Sequence, residues 1–413
     1  MRTLLKVAGV LVGLFLLLIA GAYWYVSTLD ISEYREEIAQ KVEEVTGRKL
    51  RLAGDMSLEV FPSPSLVVED AALANAEWAK QPDFVRIKRV EAEVSLAQLF
   101  AGKVTVSRIA VIDPVIALET DESGRNNWTL GAAPEAAPER KDEGSALKVD
   151  VSNVEVRGGK LSYIDGVAKR SAMVGIDELL ITPSGWLKPL VISLKGNAVV
   201  SNAAWGSQPE FVNIGQLEAK ISMSDWSGSG LKIERLALER PAIFLETSAE
   251  GQNNWTLADK GPGEKSESEG DKPLPFDLVA LEVRDGNFSY RDGIAKTTRV
   301  VVVDELQINA QSDETLDVNL RAKVDQRELK IQGKTGSLAS LFGNKPYAFD
   351  LNLGAAGAEV AAEGSLERPL DARGVKASLK VKASNVGEMM RTFGVVSDLS
   401  SPLEASAALR ELD

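Results

Sequence analysis

"DPVIALETDESGRNNWTL" occupies residues 113–130, and "RPAIFLETSAEGQNNWTL" occupies residues 240–257; 11 of the 18 positions are identical. The 127-residue offset between them holds on both sides without a gap. "NAEWAKQPDFV" at Asn75 meets "NAAWGSQPEFV" at Asn202, and "VEAEVSL" at Val90 meets "LEAKISM" at Leu217. Further on, "VEVRGGKLSYIDGVAK" at Val154 meets "LEVRDGNFSYRDGIAK" at Leu281. Residues of about 73–181 therefore map onto 200–308. The chain contains an internal duplication, and its fold is a repeated one.

Within each copy the apolar period is two, the signature of strands. Val104, Val106, Ile109 and Val111 alternate with polar residues, and the one skipped position predicts a β-bulge. Asp-Gly pairs at 165–166 and 292–293 are hairpin-turn signals. "SLAQLFAGK" at 95–103 reads as a short turn, and a related "SLASLFGNK" at 337–345 suggests a degenerate third unit. Two stretches read as solvated linkers, 131–148 and 258–275. Each follows an Asn-Asn-Trp element, and neither has enough apolar content to pack.

The amino terminus is different. Residues 7–26, "VAGVLVGLFLLLIAGAYWYV", carry no charge and are long enough to cross a bilayer as a helix. Arg2 and Lys6 before it predict a cytoplasmic amino terminus, and Tyr23, Trp24 and Tyr25 suit the far interface. A cleaved signal peptide is the competing reading, and both export the rest of the chain. Next, Asp30 and Glu33 form a capping box, with Ile31, Tyr34, Ile38, Val42 and Val45 at helical spacing and Gly47 as the stop. This amphipathic helix is expected to plug one end of the domain behind it. The expected organisation is thus a tail (1–6), a transmembrane helix (7–26), and the amphipathic helix with the start of a β domain (27–72). A first repeat (73–199), a second (200–308) and the degenerate third unit (309–413) complete it.

Composition narrows the function. The chain has 413 residues with 47 Lys+Arg against 60 Asp+Glu, a net charge of −13, which argues against nucleic acid as a partner. It has no cysteine and no histidine, so thiolate nucleophiles, imidazole acid–base chemistry, His or Cys metal sites and disulfides are all excluded. Several acids recur in both copies: Glu119 and Glu246, Asp165 and Asp292, Asp177 and Asp304, Glu178 and Glu305. They are read as turn or polar-face positions copied with the scaffold, not as a carboxylate pair for hydrolysis. The recurring Trp78, Trp205, Trp128 and Trp255 are read as anchors at a core edge, and the Asn-Trp-Thr glycosylation pattern as a by-product of the repeat. No enzyme, metal or cofactor is expected.

Many alternating strands with no long helix to cover them pose a physical question. The apolar face either closes into a dry core or remains an open groove for a ligand. The groove candidates in the first copy are Val85, Ile87, Val94, Leu96, Val104, Val106, Ile109 and Val111. Their equivalents are Val212, Ile214, Ile221, Met223, Leu231, Ile233, Leu236 and Leu238. Pattern alone leaves open which alternation phase faces the groove.

Several stretches together resemble the AsmA family. They are "TGRKLRLAGDMSLEVFPSPSLVVEDAALAN" at 46–75, "SLAQLFAGKVTVSRIAVIDPVIALETDESGRNNW" at 95–128, "ELKIQGKTGSLASLF" at 328–342 and "SLERPLDARGVKASLKVKASNVGEMMRTFG" at 365–394. The resemblance implies a bacterial inner-membrane protein with one anchor and its bulk in the periplasm. It also implies a long, U-shaped, mainly β sheet with an apolar groove, similar to bridge-type lipid-transfer proteins. Phospholipids are then the expected ligands, and outer-membrane biogenesis and lipid homeostasis the expected roles, with outer-membrane assembly proteins as further partners. The alternative is a non-transporting scaffold with a closed, dry core. Family members commonly extend further, so this chain reads as a short or truncated one.

Overall fold

A computed structural model describes residues 31–59, 63–94, 105–130, 153–183, 190–223, 231–255, 276–312, 315–342, 346–355, 357–369, 373–387 and 401–410. The predicted transmembrane segment 7–26, the turn at 95–103 and both linkers lie outside these residues. No helix among the described residues is long and apolar enough to cross a membrane. The fold is mainly β, and twenty strands are described. Two compact units divide the chain. One comprises residues 1–166 and 176–185, the other 167–175 and 186–413.

The first unit opens with a 3-10 turn at Ser32–Tyr34 and then helix α1, Arg35–Thr46. Gly47 stops it as expected, in the left-handed region at φ 68°, with its N–H on the Glu43 carbonyl at 2.8 Å. The plug does not form among the described residues. No residue of α1 is buried, and Val45 is 76% exposed. A guanidinium holds the helix instead of an apolar stripe: Arg35 donates to the Leu52 carbonyl at 3.0 Å and the Gly54 carbonyl at 2.8 Å.

The following strands are β1 (Leu50–Leu52), β2 (Met56–Glu59), β3 (Ser65–Ala74), β4 (Asp83–Val94), β5 (Val106–Ile112), β6 (Val115–Thr120) and β7 (Asn153–Asp165). β3, β4 and β5 pair antiparallel, whereas β5 and β6 both pair parallel with β7. A parallel neighbour needs a crossover of a dozen or more residues. The connection between β6 and β7 runs from 121 to 152 and contains the predicted linker.

Strand β8 (Arg170–Pro183) begins in the second unit and ends in the first. The second unit continues with β9 (Leu190–Ser201), β10 (Glu210–Met223), β11 (Leu231–Thr247), β12 (Phe276–Leu278) and β13 (Ala280–Asp292). Then follow β14 (Thr297–Ala310), β15 (Thr315–Val324), β16 (Arg327–Gly336), the five-residue helix α2 (Leu338–Phe342), β17 (Tyr347–Ala355), β18 (Ala358–Leu366), β19 (Lys376–Ala383) and β20 (Leu403–Arg410). From β9 to β20 the ladder is antiparallel except where β12 and β13 run parallel to β11, again behind a linker.

The predicted bulge is present in both copies. Glu93 opposes Arg108 but Val94 opposes Val106, leaving Ser107 extra. Lys220 opposes Arg235 but Ile221 opposes Ile233, leaving Glu234 extra. The Asp-Gly hairpin is wider than a two-residue turn: Asp292 pairs with Thr297, so four residues form the loop, and the positive φ falls on Lys296. Gly293 serves a close approach instead, because a Cβ there would lie 2.3 Å from the Thr247 carbonyl oxygen.

Candidate functional site

Registers fix which residues share a face, because directly paired residues project to the same side of a sheet. In β15 the apolar residues Leu316, Val318, Leu320, Ala322 and Val324 alternate without a break. They pair with Ala310, Ile308, Leu306, Val303 and Val301 of β14, where the phase changes from even to odd across the extra residue Asp304. The same change occurs in β13 across Asp285 and in β11 across Arg240, both at positive φ. The bulges shift the phase and thereby keep the apolar residues on one side.

Two neighbouring rows cross eleven strands, β9 to β11 and β13 to β20. The first is Leu194, Ala219, Leu236, Leu281, Ile308, Val318, Gly333, Leu351, Ala362, Leu379 and Ala407. The second is Gly196, Leu217, Leu238, Val283, Leu306, Leu320, Ile331, Leu353, Val360, Val381 and Ala405. No member of either row is polar. The row between them points the other way and reads Lys195, Glu218, Ala237, Glu282, Gln307, Asn319, Gln332, Asn352, Ala361, Lys380 and Ser406. At about 4.8 Å per strand, the apolar rows run for roughly 50 Å along the sheet.

Burial separates an open face from a dry core. Every leucine and isoleucine in the two rows is half-buried, shielded by cross-strand neighbours but not covered. The buried cluster is small: Val283, Val303 and Ala322, with Leu238, Phe288 and Leu320 among the residues against it. A second layer would have buried these leucines outright. All eight second-copy candidates belong to this face. Ile221 and Met223 pair with Ile192 and Leu190 of the regular β9, Leu231 and Ile233 precede the bulge, and Val212 and Ile214 oppose Ile243 and Pro241.

In the first unit, Val94, Val106, Ile109 and Val111 share a face with Val90 and Ala92, and Met56, Val68, Leu58 and Leu66 extend it. Val85 lies in an apolar row with Leu50, Leu73, Ile116 and Leu161, and Ile87 pairs with Ala71. Leu96 and Val104 lie outside the described residues. The opposite face is ionic. Arg89 donates to Glu59, Glu69 and Glu91, and Arg108 to Glu155, which also accepts from Arg157. Burial pushes the Glu155 carboxyl up, but these two arginines outweigh it and hold it below its ordinary value. Charges on one side and hydrocarbon on the other define which face meets water.

The Asn-Asn-Trp element is a structural corner. Asn127 is fully buried; its Oδ1 accepts from the Glu119 N–H at 2.9 Å, and its Nδ2 donates to Asn75 Oδ1 at 2.9 Å and the Ala117 carbonyl at 2.7 Å. Asn254 repeats this with Glu246, Asn202 and Phe244 at 2.9, 2.9 and 2.7 Å. Both asparagine side chains are spent on these internal bonds and are out of reach of solvent in the folded protein. Glu119 and Glu246 are not polar-face residues, as their alternation suggests, but are 2% and 5% exposed. Glu119 accepts from the N–H groups of Lys80 and Gln81, both at 2.9 Å; Glu246 accepts from Ser207 N–H at 2.8 Å and lies 3.4 Å from Arg291. Sequence reasoning missed this role; the signal was the joint recurrence of Asn75, Glu119 and Asn127 at one offset. Trp128 and Trp255 are 41% exposed and rest on Tyr163 and Tyr290, with ring centres 6.2 Å apart in each copy. Among the described residues no cluster of acids could hold a metal ion.

The AsmA family model matches residues 1–178. Over that stretch, less than half of its length, the chain is similar to the AsmA family. A similar protein is the AsmA family protein YhjG of Escherichia coli (strain K12), 25% identical over 186 residues. That match covers 42% of this chain and 27% of the relative's length. The stretch matched by the family model takes in the first corner and most of the first unit.

Proposed function

We propose that this protein is a non-enzymatic, membrane-anchored binder of phospholipids that holds acyl chains on the apolar face of its sheet. The observation that carries the reading is the pair of apolar rows across eleven strands, whose leucines and isoleucines are only half-buried among the described residues. Each methylene removed from water contributes about 0.8 kcal/mol, so two acyl chains bind such a face without a dedicated charge pocket. The likeness of residues 1–178 to the AsmA family, the apolar run at 7–26 and the basic residues before it support an anchor in a bacterial inner membrane. The amino terminus is then cytoplasmic and the bulk periplasmic, with roles in outer-membrane biogenesis and lipid homeostasis. The absence of histidine and cysteine and the backbone-binding use of Glu119 and Glu246 favour binding over catalysis.

The test is mass spectrometry of the full chain purified in mild detergent. Phospholipid is expected to co-purify, and Leu281→Glu with Leu306→Glu is expected to remove most of it. A lipid-free protein, or retention unchanged by both substitutions, contradicts the proposal.

A further inference from the structure

The second unit contains a site on the face opposite the apolar rows. A cavity of about 600 Å³ lies where Arg291, Lys296 and Thr298 meet Ser207, Gln208 and Phe244. It adjoins a second cavity of about 450 Å³ that shares Gln208, Phe244 and Thr298 and continues past Pro209, Ala242 and Val300. The paired registers explain the arrangement. Phe244, Ser289 and Val300 form one row, Glu246, Arg291 and Thr298 the next, and the segment before β10 closes over them.

The two ends differ in chemistry. The first presents two cations. Arg291 is half-exposed with its guanidinium 3.4 Å from Glu246, and Lys296 is exposed on the β13–β14 turn. The acid lining this end, Asp292, has Oδ1 occupied by the N–H groups of Ile294 and Ala295, both at 2.9 Å. The adjoining end offers Phe244, Pro209, Val300 and Ala242, with Asn287 and Ser289 beside them and Glu210 held by Asn213 at 2.8 Å. Both volumes are of the size that ligand clefts use. The duplication supplies a control, because the first copy has Ile164 where the second has Arg291, and Ala117 where the second has Phe244. Arg291 and Phe244 thus occur only in the second copy, while Lys296 has a counterpart in Lys169.

We infer that this double cavity binds an anionic amphiphile, with a phosphate or carboxylate head between Arg291 and Lys296 and the first methylenes of its chain along Phe244 and Pro209. The inference rests on the lipid-binding reading above and adds a head-group site on the other face of the sheet. Binding is electrostatic at one end and weakens with salt; at the other it strengthens with chain length.

The test is calorimetric titration of the full chain in phosphatidylcholine nanodiscs with hexyl phosphate, hexanoate, inorganic phosphate and hexanol. Saturable binding of hexyl phosphate or hexanoate is expected, at least tenfold tighter than inorganic phosphate or hexanol. Which anion binds tighter identifies the head group. Arg291→Ile installs the residue of the first copy, and Lys296→Gln alters an exposed turn; each is expected to weaken binding at least tenfold. Arg284→Ala, on the same face but outside the cavity, is expected to change nothing. Equal affinity for hexanol, or full affinity in both cavity variants, overturns the site. A photo-reactive residue at position 306 in the same nanodiscs reports the apolar face separately. Lost lipid adducts there with retained hexyl phosphate binding contradict the proposed function and leave this site standing.

Discussion

The two Asn-Asn-Trp corners are nearly the same object with different surroundings. Their hydrogen bonds agree within 0.1 Å, and their Trp–Tyr pairs lie at the same separation. The carboxylates between them do not share an environment. Glu119 accepts from two backbone N–H groups and from Asn75 Nδ2 at 3.4 Å, while Glu246 faces Ser207 and Arg291 and leaves the Asn202 Nδ2 without a partner. The turn differs as well: Asp121 ties the first loop through Ser123 and Arg125, and Ser248 ties the second through Glu250 and Gln252. Duplication preserved the backbone tie and left the acid's partners free to change. In both copies the asparagine ties a strand to the loop before its paired neighbour, so the corners are joints.

The comparison breaks most decisively at the asparagines. Asn127→Leu and Asn254→Leu each remove three hydrogen bonds from a buried corner and are expected to cost about 2 to 4 kcal/mol of local stability. Hydrogen exchange of the Glu119 and Glu246 amides measures both, and costs differing by more than about 1 kcal/mol would show that the corners are not equivalent. The faces come next. Val283→Asp, in the buried cluster, is expected to cost about 3 kcal/mol, whereas Leu351→Asp, half-buried in the first row and outside that cluster, costs about 1 kcal/mol. Equal costs in urea unfolding would mean that the face is covered.

Acid acts on the first unit through Glu155. Its folded-state carboxyl lies below the ordinary 4.5, so its stabilisation is complete above that value and is lost as pH falls through the lower folded value. Amide exchange in β5 and β7 is expected to be flat from pH 7 to 5, after correction for the intrinsic rate, and to accelerate below about 4.5. Glu155→Gln should remove the acceleration. The smallest effect is the swap between copies. Arg291→Ile leaves Glu246 buried with only Ser207 and is expected to cost about 1 kcal/mol, since Arg291 is half-exposed and screened. Exchange of the Glu246 amide reads this directly.

The repeat, its offset and the bulge at Ser107 were legible because duplication leaves identities and a bulge leaves a skipped position in the apolar alternation. The phase of the open face was not legible. Apolar positions switch parity in β11, β13 and β14, and only pairing with the uninterrupted β15 shows that both parities share a side. The parallel strands behind the linkers were also missed, since a polar connection carries no mark of the strand direction that follows it. Glu119 and Glu246 misled for a third reason: alternation placed them with polar residues, while a buried carboxylate that binds backbone N–H groups leaves no local pattern.

Leu306 and Gln307 are consecutive in β14 and project to opposite sides of the sheet. A photo-reactive side chain at each position, activated in cells, reports which side of the sheet lipid touches. Phospholipid adducts at 306 and none at 307 are the expected result. Equal adducts at both positions, or protein adducts alone at 306, would contradict it.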